Sequence, residues 1–134
     1  MKTAIVILNW NGQKLLAQFL PSVVNFSSQE ATIYIADNAS TDSSIDYAKE
    51  FFPSIKIVQN AVNDGYAKGY NDALKEIDAD IYCLLNSDVE VTDNWLQPIV
   101  DVFNADQKTA IIQPKLLDFK DKTKFEYAGA GGGF

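Results

Sequence analysis

The sequence contains no histidine and no arginine; all 11 of its basic residues are lysine. The missing histidine excludes Ser-His-Asp and Cys-His catalysis, His-ligated zinc and imidazole acid–base chemistry. The missing arginine removes the planar, bidentate clamp that proteins use on carboxylates and phosphates. Phosphate must then be met by backbone N–H groups, by lysine or by a metal ion. Cys83 is the only cysteine, so no intramolecular disulfide can form, which fits a reducing compartment. Positive charge is scarce: 11 basic residues stand against 18 acidic ones, for a net charge of −7. Such a surface repels phosphate backbones, and no nucleic-acid partner is expected. No apolar run is long enough to span a bilayer, and the opening residues read as a strand rather than a secretory leader. A cytoplasmic location is expected, with the inner face of the membrane as the alternative.

What is present suits a globular fold. The 134 residues are 47% hydrophobic and 22% charged, enough for one domain over residues 1–134. Residues 3–8 form a short Ile/Val-rich run, the pattern of a strand buried on both faces. Leu16, Phe19, Leu20 and Val23 follow at helical spacing, with Pro21 expected to kink or split that helix. Residues 31–36 read as a second strand. Ser40 is placed as the N-cap of a helix carrying Ile45, Ala48 and Phe52. Residues 55–58 form a third strand, residues 65–77 a third helix with Tyr70, Ala73, Leu74 and Ile77 inward, and residues 81–85 a fourth strand. Thr92 is read as the cap of a helix bearing Trp95, Leu96, Ile99 and Phe103, and residues 110–113 as a further strand. Repeated strand–helix units predict an α/β fold, a mostly parallel sheet with helices on both faces. Residues 118–124 read as a charged, solvated turn, and a glycine-rich stretch closes the sequence.

In open parallel sheets, ligands bind beyond the carboxyl ends of the strands. Here those ends are polar: Asn9-Trp10-Asn11-Gly12, then Asp37-Asn38-Ala39-Ser40-Thr41-Asp42, then residues 60–65, then Asn86-Ser87-Asp88-Val89-Glu90. Each cluster alone is also what turns and caps are made of; recurrence at four strand ends points to a site. Asp37 and Asp42 offer acceptors for base N–H groups and sugar hydroxyls. Trp10 offers a face on which a base or sugar can stack. Asp88 is a hard oxygen ligand suited to magnesium or manganese, and such an ion would let an acidic edge accept a diphosphate. Tyr66 and Tyr70 read as packing, and Cys83 as inert core.

These residues carry a resemblance. Val6-Ile7-Leu8-Asn9-Trp10-Asn11-Gly12 is similar to the opening strand and nucleotide loop of the family 2 inverting glycosyltransferases, which have the GT-A fold, a Rossmann-like nucleotide-diphospho-sugar transferase architecture. The likeness is greatest to their rhamnosyltransferase-like branch. Ile35-Ala36-Asp37-Asn38-Ala39-Ser40-Thr41-Asp42-Ser43 resembles the second block, whose first Asp binds the base of the sugar nucleotide. Asn63-Asp64-Gly65-Tyr66-Ala67-Lys68-Gly69-Tyr70-Asn71 resembles the helix-entry block. Leu84-Leu85-Asn86-Ser87-Asp88-Val89-Glu90 resembles the segment with the metal-binding Asp-x-Asp motif.

Asn86 stands where that motif has its first acid, which leaves Asp88 as the implied metal ligand. The resemblance thus implies nucleotide-sugar binding by Asn9, Trp10, Asn11, Asp37, Asn38, Asp42, Gly65, Lys68, Asn71 and Asn86. It implies a Mg or Mn cofactor at Asp88, a nucleotide-diphosphate sugar as donor and a glycan or lipid-linked acceptor. The family's catalytic base lies further along than Phe134, so the chain is expected to be truncated inside a catalytic domain and inactive by itself. An open sheet edge would then favour a homodimer. Two other classes compete. A flavodoxin- or receiver-type binding module would need a Ser/Thr-rich loop or paired acids after the first strand, where Asn9-Trp10-Asn11 stands. A nucleotidyltransferase would need a Gly-rich basic loop there, of which Gly12 and Lys14 are a poor version.

Overall fold

Residues 1–128 are described by the computed structural model; the glycine-rich end, residues 129–134, lies outside them. The chain divides into two compact units, Met1–Leu96 and Gln97–Phe134.

The first unit runs β1 (Thr3–Asn9), α1 (Gln13–Ser27), β2 (Thr32–Asp37), α2 (Ser44–Phe51), β3 (Lys56–Gln59), α3 (Tyr66–Leu74) and β4 (Ile81–Leu85). Its four strands form one parallel sheet in the order β3-β2-β1-β4. Each crossover is helical, as parallel neighbours require, and the right-handed rule puts α1 and α2 on one face. The path then returns past β1, and α3 packs against β1 and β2 from the other face. Period-2 alternation divides β1 between the faces. Ala4 and Val6 join Ala36, Tyr70, Ala73 and Ile77 in one buried cluster. Ile5 and Ile7, with Ile33 and Ile35 of β2, are turned to the opposite face; all four are at most 4% exposed. The expected mostly parallel sheet covered on both faces is therefore present.

Three local expectations are corrected. α1 continues through Pro21 without a break. Pro21 lies on the exposed face, so the carbonyl it leaves without a donor can bond to water. Ser40 does not cap α2, which begins four residues later; its hydroxyl is engaged with Asp37 instead. Thr92 caps nothing, because Asn94 adopts a left-handed conformation (φ 55°) that interrupts a helix. Trp95 is tied instead to Ser27, its indole N–H donating to Oγ at 2.9 Å.

The second unit holds α4 (Gln97–Ala105), which opens with Pro98 in its first turn, where a missing N–H costs nothing. A two-stranded antiparallel hairpin follows, β5 (Leu116–Leu117) and β6 (Phe125–Tyr127). Residues 110–113, expected to be a strand, are not one; Ile111 is 87% exposed, and β-branched residues form strands only where a partner strand meets them. Residues 118–124 are the hairpin's connection, as the charged turn predicted, with Asp118 accepting from the Lys120 and Asp121 N–H groups.

Gly69 sets the spacing between α3 and the sheet edge. A Cβ there would lie 2.6 and 2.7 Å from the Asn38 amide atoms and 2.9 Å from Leu8 Cδ1. Gly69→Ala is therefore expected to destabilise the fold by about 1–3 kcal/mol, the usual cost of overpacking. Urea unfolding of the two proteins measures it, and an unchanged midpoint would show that the helix has room to move.

Candidate functional site

The register of the sheet puts three polar residues in one row. Asn9 at the end of β1 pairs with Asp37 at the end of β2, and Asp37 pairs with Gln59 at the end of β3. Asp37 is 1% exposed. Its Oδ1 accepts from Asn9 Nδ2 at 2.9 Å and from the Ser40 hydroxyl at 2.6 Å. Its Oδ2 accepts from Gln59 Nε2 at 2.8 Å and from the Ser40 backbone N–H at 3.0 Å. Burial pushes this carboxyl up, and the bonds from Ser40, Gln59 and Asn9 more than offset it, so Asp37 sits below its ordinary value. Each oxygen has two protein donors and no outward-facing capacity, so what Asp37 does here is hold its neighbours.

Those neighbours are two loops, bonded to each other. Asn9 Nδ2 also reaches Ser40 Oγ at 3.1 Å and Ser44 Oγ at 2.9 Å. The Asn11 N–H donates to Ser40 Oγ, and Asn11 Oδ1 accepts from the Thr41 and Asp42 N–H groups at 2.8 and 3.2 Å. Asp42 accepts from the Gln13 N–H at the start of α1 and from the N–H and hydroxyl of Ser44 at the start of α2. Desolvation raises the Asp42 carboxyl, and these bonds bring it below its ordinary value. Asn11 and Ala39 take left-handed conformations (φ 49° and 58°) to make the turns. For Ala39, which has no polar side chain to compensate, that costs about 1 kcal/mol. Asn9 Oδ1 is enclosed without a hydrogen-bond partner. Gly12 makes room for it, since a Cβ there would stand 2.5 Å away.

A second knot lies beside the first. Asn38, 2% exposed, donates to Asn63 Oδ1 and the Gly65 carbonyl and accepts from Asn60 Nδ2 at 2.7 Å. Asn60 also donates to the Gly69 carbonyl. Gln59 and Ser44 escaped the sequence reading, and Asn60 entered it only as the start of a polar strand end, because their roles follow from register and from a returning loop rather than from any local motif.

Outside this buried layer stand exposed groups. The strand order reverses about β1, so the crevice expected of such sheets opens between the ends of β1 and β4. Trp10 follows β1 and is 59% exposed, free to act as a platform. Asn86 and Asp88 follow β4, both exposed. Tyr66, expected to be packing, is 60% exposed and donates to Asn86 Oδ1 at 2.9 Å. Lys68 is held by Asp64 at 3.2 Å and Asp72 at 2.5 Å; hydrogen bonds to both raise its pKa. Asn71 is exposed and shares no hydrogen bond with the other site residues. Burial raises the half-buried Cys83 thiol to about 11, which keeps it protonated and unreactive.

Among the described residues, no three His, Cys, Asp or Glu are gathered as a metal site. Asp88 offers one hard, accessible carboxylate. That donor set fits magnesium or manganese in the manner of ions held by one or two carboxylates together with substrate phosphates and water.

Comparison with known proteins places this edge in context. The family model described as glycosyl transferase family 2 matches residues 4–130. The teichoic acid poly(glycerol phosphate) polymerase of Staphylococcus epidermidis is 26% identical over 140 residues, covering 96% of this chain and 19% of that protein. The fold of S. aureus TarS residues 1–349, solved with UDP-GlcNAc, superposes with a TM-score of 0.69 at 18% identity, covering 84% of this chain and 37% of that one. The mannosyltransferase PcManGT of Pyrobaculum calidifontis, solved with GDP-Man and Mn2+, gives a TM-score of 0.66 at 18% identity, covering 78% and 32%. The chain thus spans about a fifth of the polymerase and about a third of the two structures.

Asp37→Asn would set its NH2 against either Asn9 Nδ2 or, in the other orientation, Gln59 Nε2 and the Ser40 N–H. It is expected to destabilise the protein by about 1–3 kcal/mol at neutral pH. Because the folded carboxyl is depressed, its contribution is present above the ordinary value of 3.8 and lost as pH falls through the lower, folded value. Denaturation curves of both proteins from pH 7 down to pH 3 should therefore converge as acid is added; a constant gap would remove the charge from the account.

Proposed function

The chain belongs to glycosyl transferase family 2, and on that premise we propose that its polar strand edge is the nucleotide-sugar donor site of an enzyme that transfers a sugar, with inversion, from a nucleoside diphosphate to a glycan or lipid-linked acceptor. The sugar is a hexose or a rhamnose-type deoxyhexose, and the product a cell-envelope polysaccharide. The enzyme works in the cytoplasm or at the inner face of the membrane. No helix among the described residues is long and apolar enough to cross a bilayer.

One observation carries this reading. Parallel strands bring Asn9-Trp10, Asp37 to Asp42, Gln59-Asn60 and Asn86 to Asp88 to a single edge, with the exposed groups flanking the switch point. Trp10 supplies the stacking face for the base, and Asn11 and Asp42 line its polar side. Asp37, Asn9 and Asn38 act at the base through the loops they hold. Gly65 and Asn71 contribute from the entry and body of α3. Lys68 reaches phosphate by exchanging its exposed carboxylate partners, which bind it weakly. Asp88 would hold Mg or Mn. When bound, that ion neutralises diphosphate charge and stabilises the departing nucleoside diphosphate. The general base that takes the acceptor hydroxyl's proton lies beyond the residues described, and this chain alone is inactive.

Calorimetric titration with UDP, GDP and dTDP, each with and without manganese, tests the reading. Nucleoside diphosphate is expected to bind at least about tenfold more tightly with the ion, since pairing a desolvated charge is worth about 1.4 kcal/mol or more. Asp88→Ala should abolish that gain and leave metal-free affinity as it was. Metal-independent binding of FMN, with no response to the diphosphates, would replace the enzyme by a binding module.

A further inference from the structure

Two tyrosines one turn apart on α3 grip consecutive residues at the end of β4. The buried Tyr70 donates through its hydroxyl to the Leu85 carbonyl at 3.0 Å, and Tyr66 donates to Asn86 Oδ1 at 2.9 Å. The rings meet edge to face with centroids 5.0 Å apart and planes at 73°, so Tyr70, locked in the core, steadies Tyr66 above it. The backbone and the side chain at the mouth of the crevice are thus fixed by the same helix face.

The bond to Tyr66 has a consequence for Asn86. An amide whose oxygen is held presents its NH2 in the opposite direction. Asn86 is exposed, and its Nδ2 has no partner among the described residues. An amide left free to rotate would offer its oxygen as readily as its nitrogen, and the oxygen repels a phosphate or a lone pair of ribose. In a chain with no arginine and a net charge of −7, a fixed neutral donor attracts an oxygen ligand without a cation.

Resting on the donor-site reading above, we propose that Tyr66 is a positioning residue: by donating to Asn86 Oδ1 it directs the Asn86 NH2 at an acceptor oxygen, phosphate or ribose, of a nucleoside diphosphate.

The test uses the full 134-residue chain and calorimetry with UDP, GDP, uridine and guanosine. Wild type is compared with Tyr66→Phe, Asn86→Ala and the double variant. Phenylalanine retains the ring on Tyr70, so the thermal midpoint should hold, while affinity for UDP or GDP falls about three- to tenfold, the worth of one hydrogen bond. In the Asn86→Ala background, Tyr66→Phe should cost nothing further, because the two act as one unit. A loss shared by the nucleosides assigns the oxygen to ribose, and a loss confined to the diphosphates assigns it to phosphate. Unchanged affinity in Tyr66→Phe, or the same loss with and without Asn86, would overturn the proposal while leaving the donor site standing. Absence of any nucleotide binding by wild type would bring down the donor site and the proposal together.

Discussion

A buried carboxylate with no cation beside it organises this protein. Asp37 is 1% exposed, and its charge is met by four neutral donors drawn from the end of β1, the loop after β2 and the end of β3. An uncompensated charge in that position would cost several kcal/mol, so the three segments must arrive together in one register or not at all. The loops that follow β1 and β2 then take their shape from the same centre. Ser40 serves Asp37 and Asn11 at once, and Asp42 joins the starts of α1 and α2. The left-handed turn at Ala39 is held by this web, which is the setting in which a strained residue persists.

The edge has two layers with different duties. The inner layer of Asn9, Asp37, Asn38 and Asn60 is closed, and its polar groups are matched to one another, apart from Asn9 Oδ1. The outer layer of Trp10, Asn86 and Asp88 is open. In the donor site we propose, rigidity belongs to the first and contact with ligand to the second, the division expected of a site whose outward groups must be preorganised. Because the chain lacks arginine, the proposed recognition relies on amides, hydroxyls, an indole face and one carboxylate of the kind that suits a hard ion.

Much of the fold was legible. The Ile/Val run of β1 and the helical periods of α1 and α3 declared themselves, because full burial of a parallel strand and one-sided burial of a helix leave opposite signatures. Boundaries were less so. Ser40 and Thr92 are good caps by residue type, yet Ser40 is claimed by a carboxylate three residues back, and Asn94 breaks the turn after Thr92. The polar strand ends do come together at one edge of the sheet, as their recurrence in the sequence implied. Burial is harder to read: Asp37 is enclosed among its own neighbours, and Tyr66, expected to be packing, is exposed and bonded to Asn86.

Sequence alone determined the alternation of strand and helix, the acidic and arginine-free character of the edge and the family, since these depend on residue type and spacing along one chain. Only the tertiary structure decided which polar groups face inward and which face out. That choice depends on strand register, which sets Asn9, Asp37 and Gln59 side by side. It depends also on the packing of α3 over β1 and β2, which brings Tyr66 to Asn86 across 20 residues of chain. Register and packing are energies between segments distant in sequence, and no local pattern encodes them.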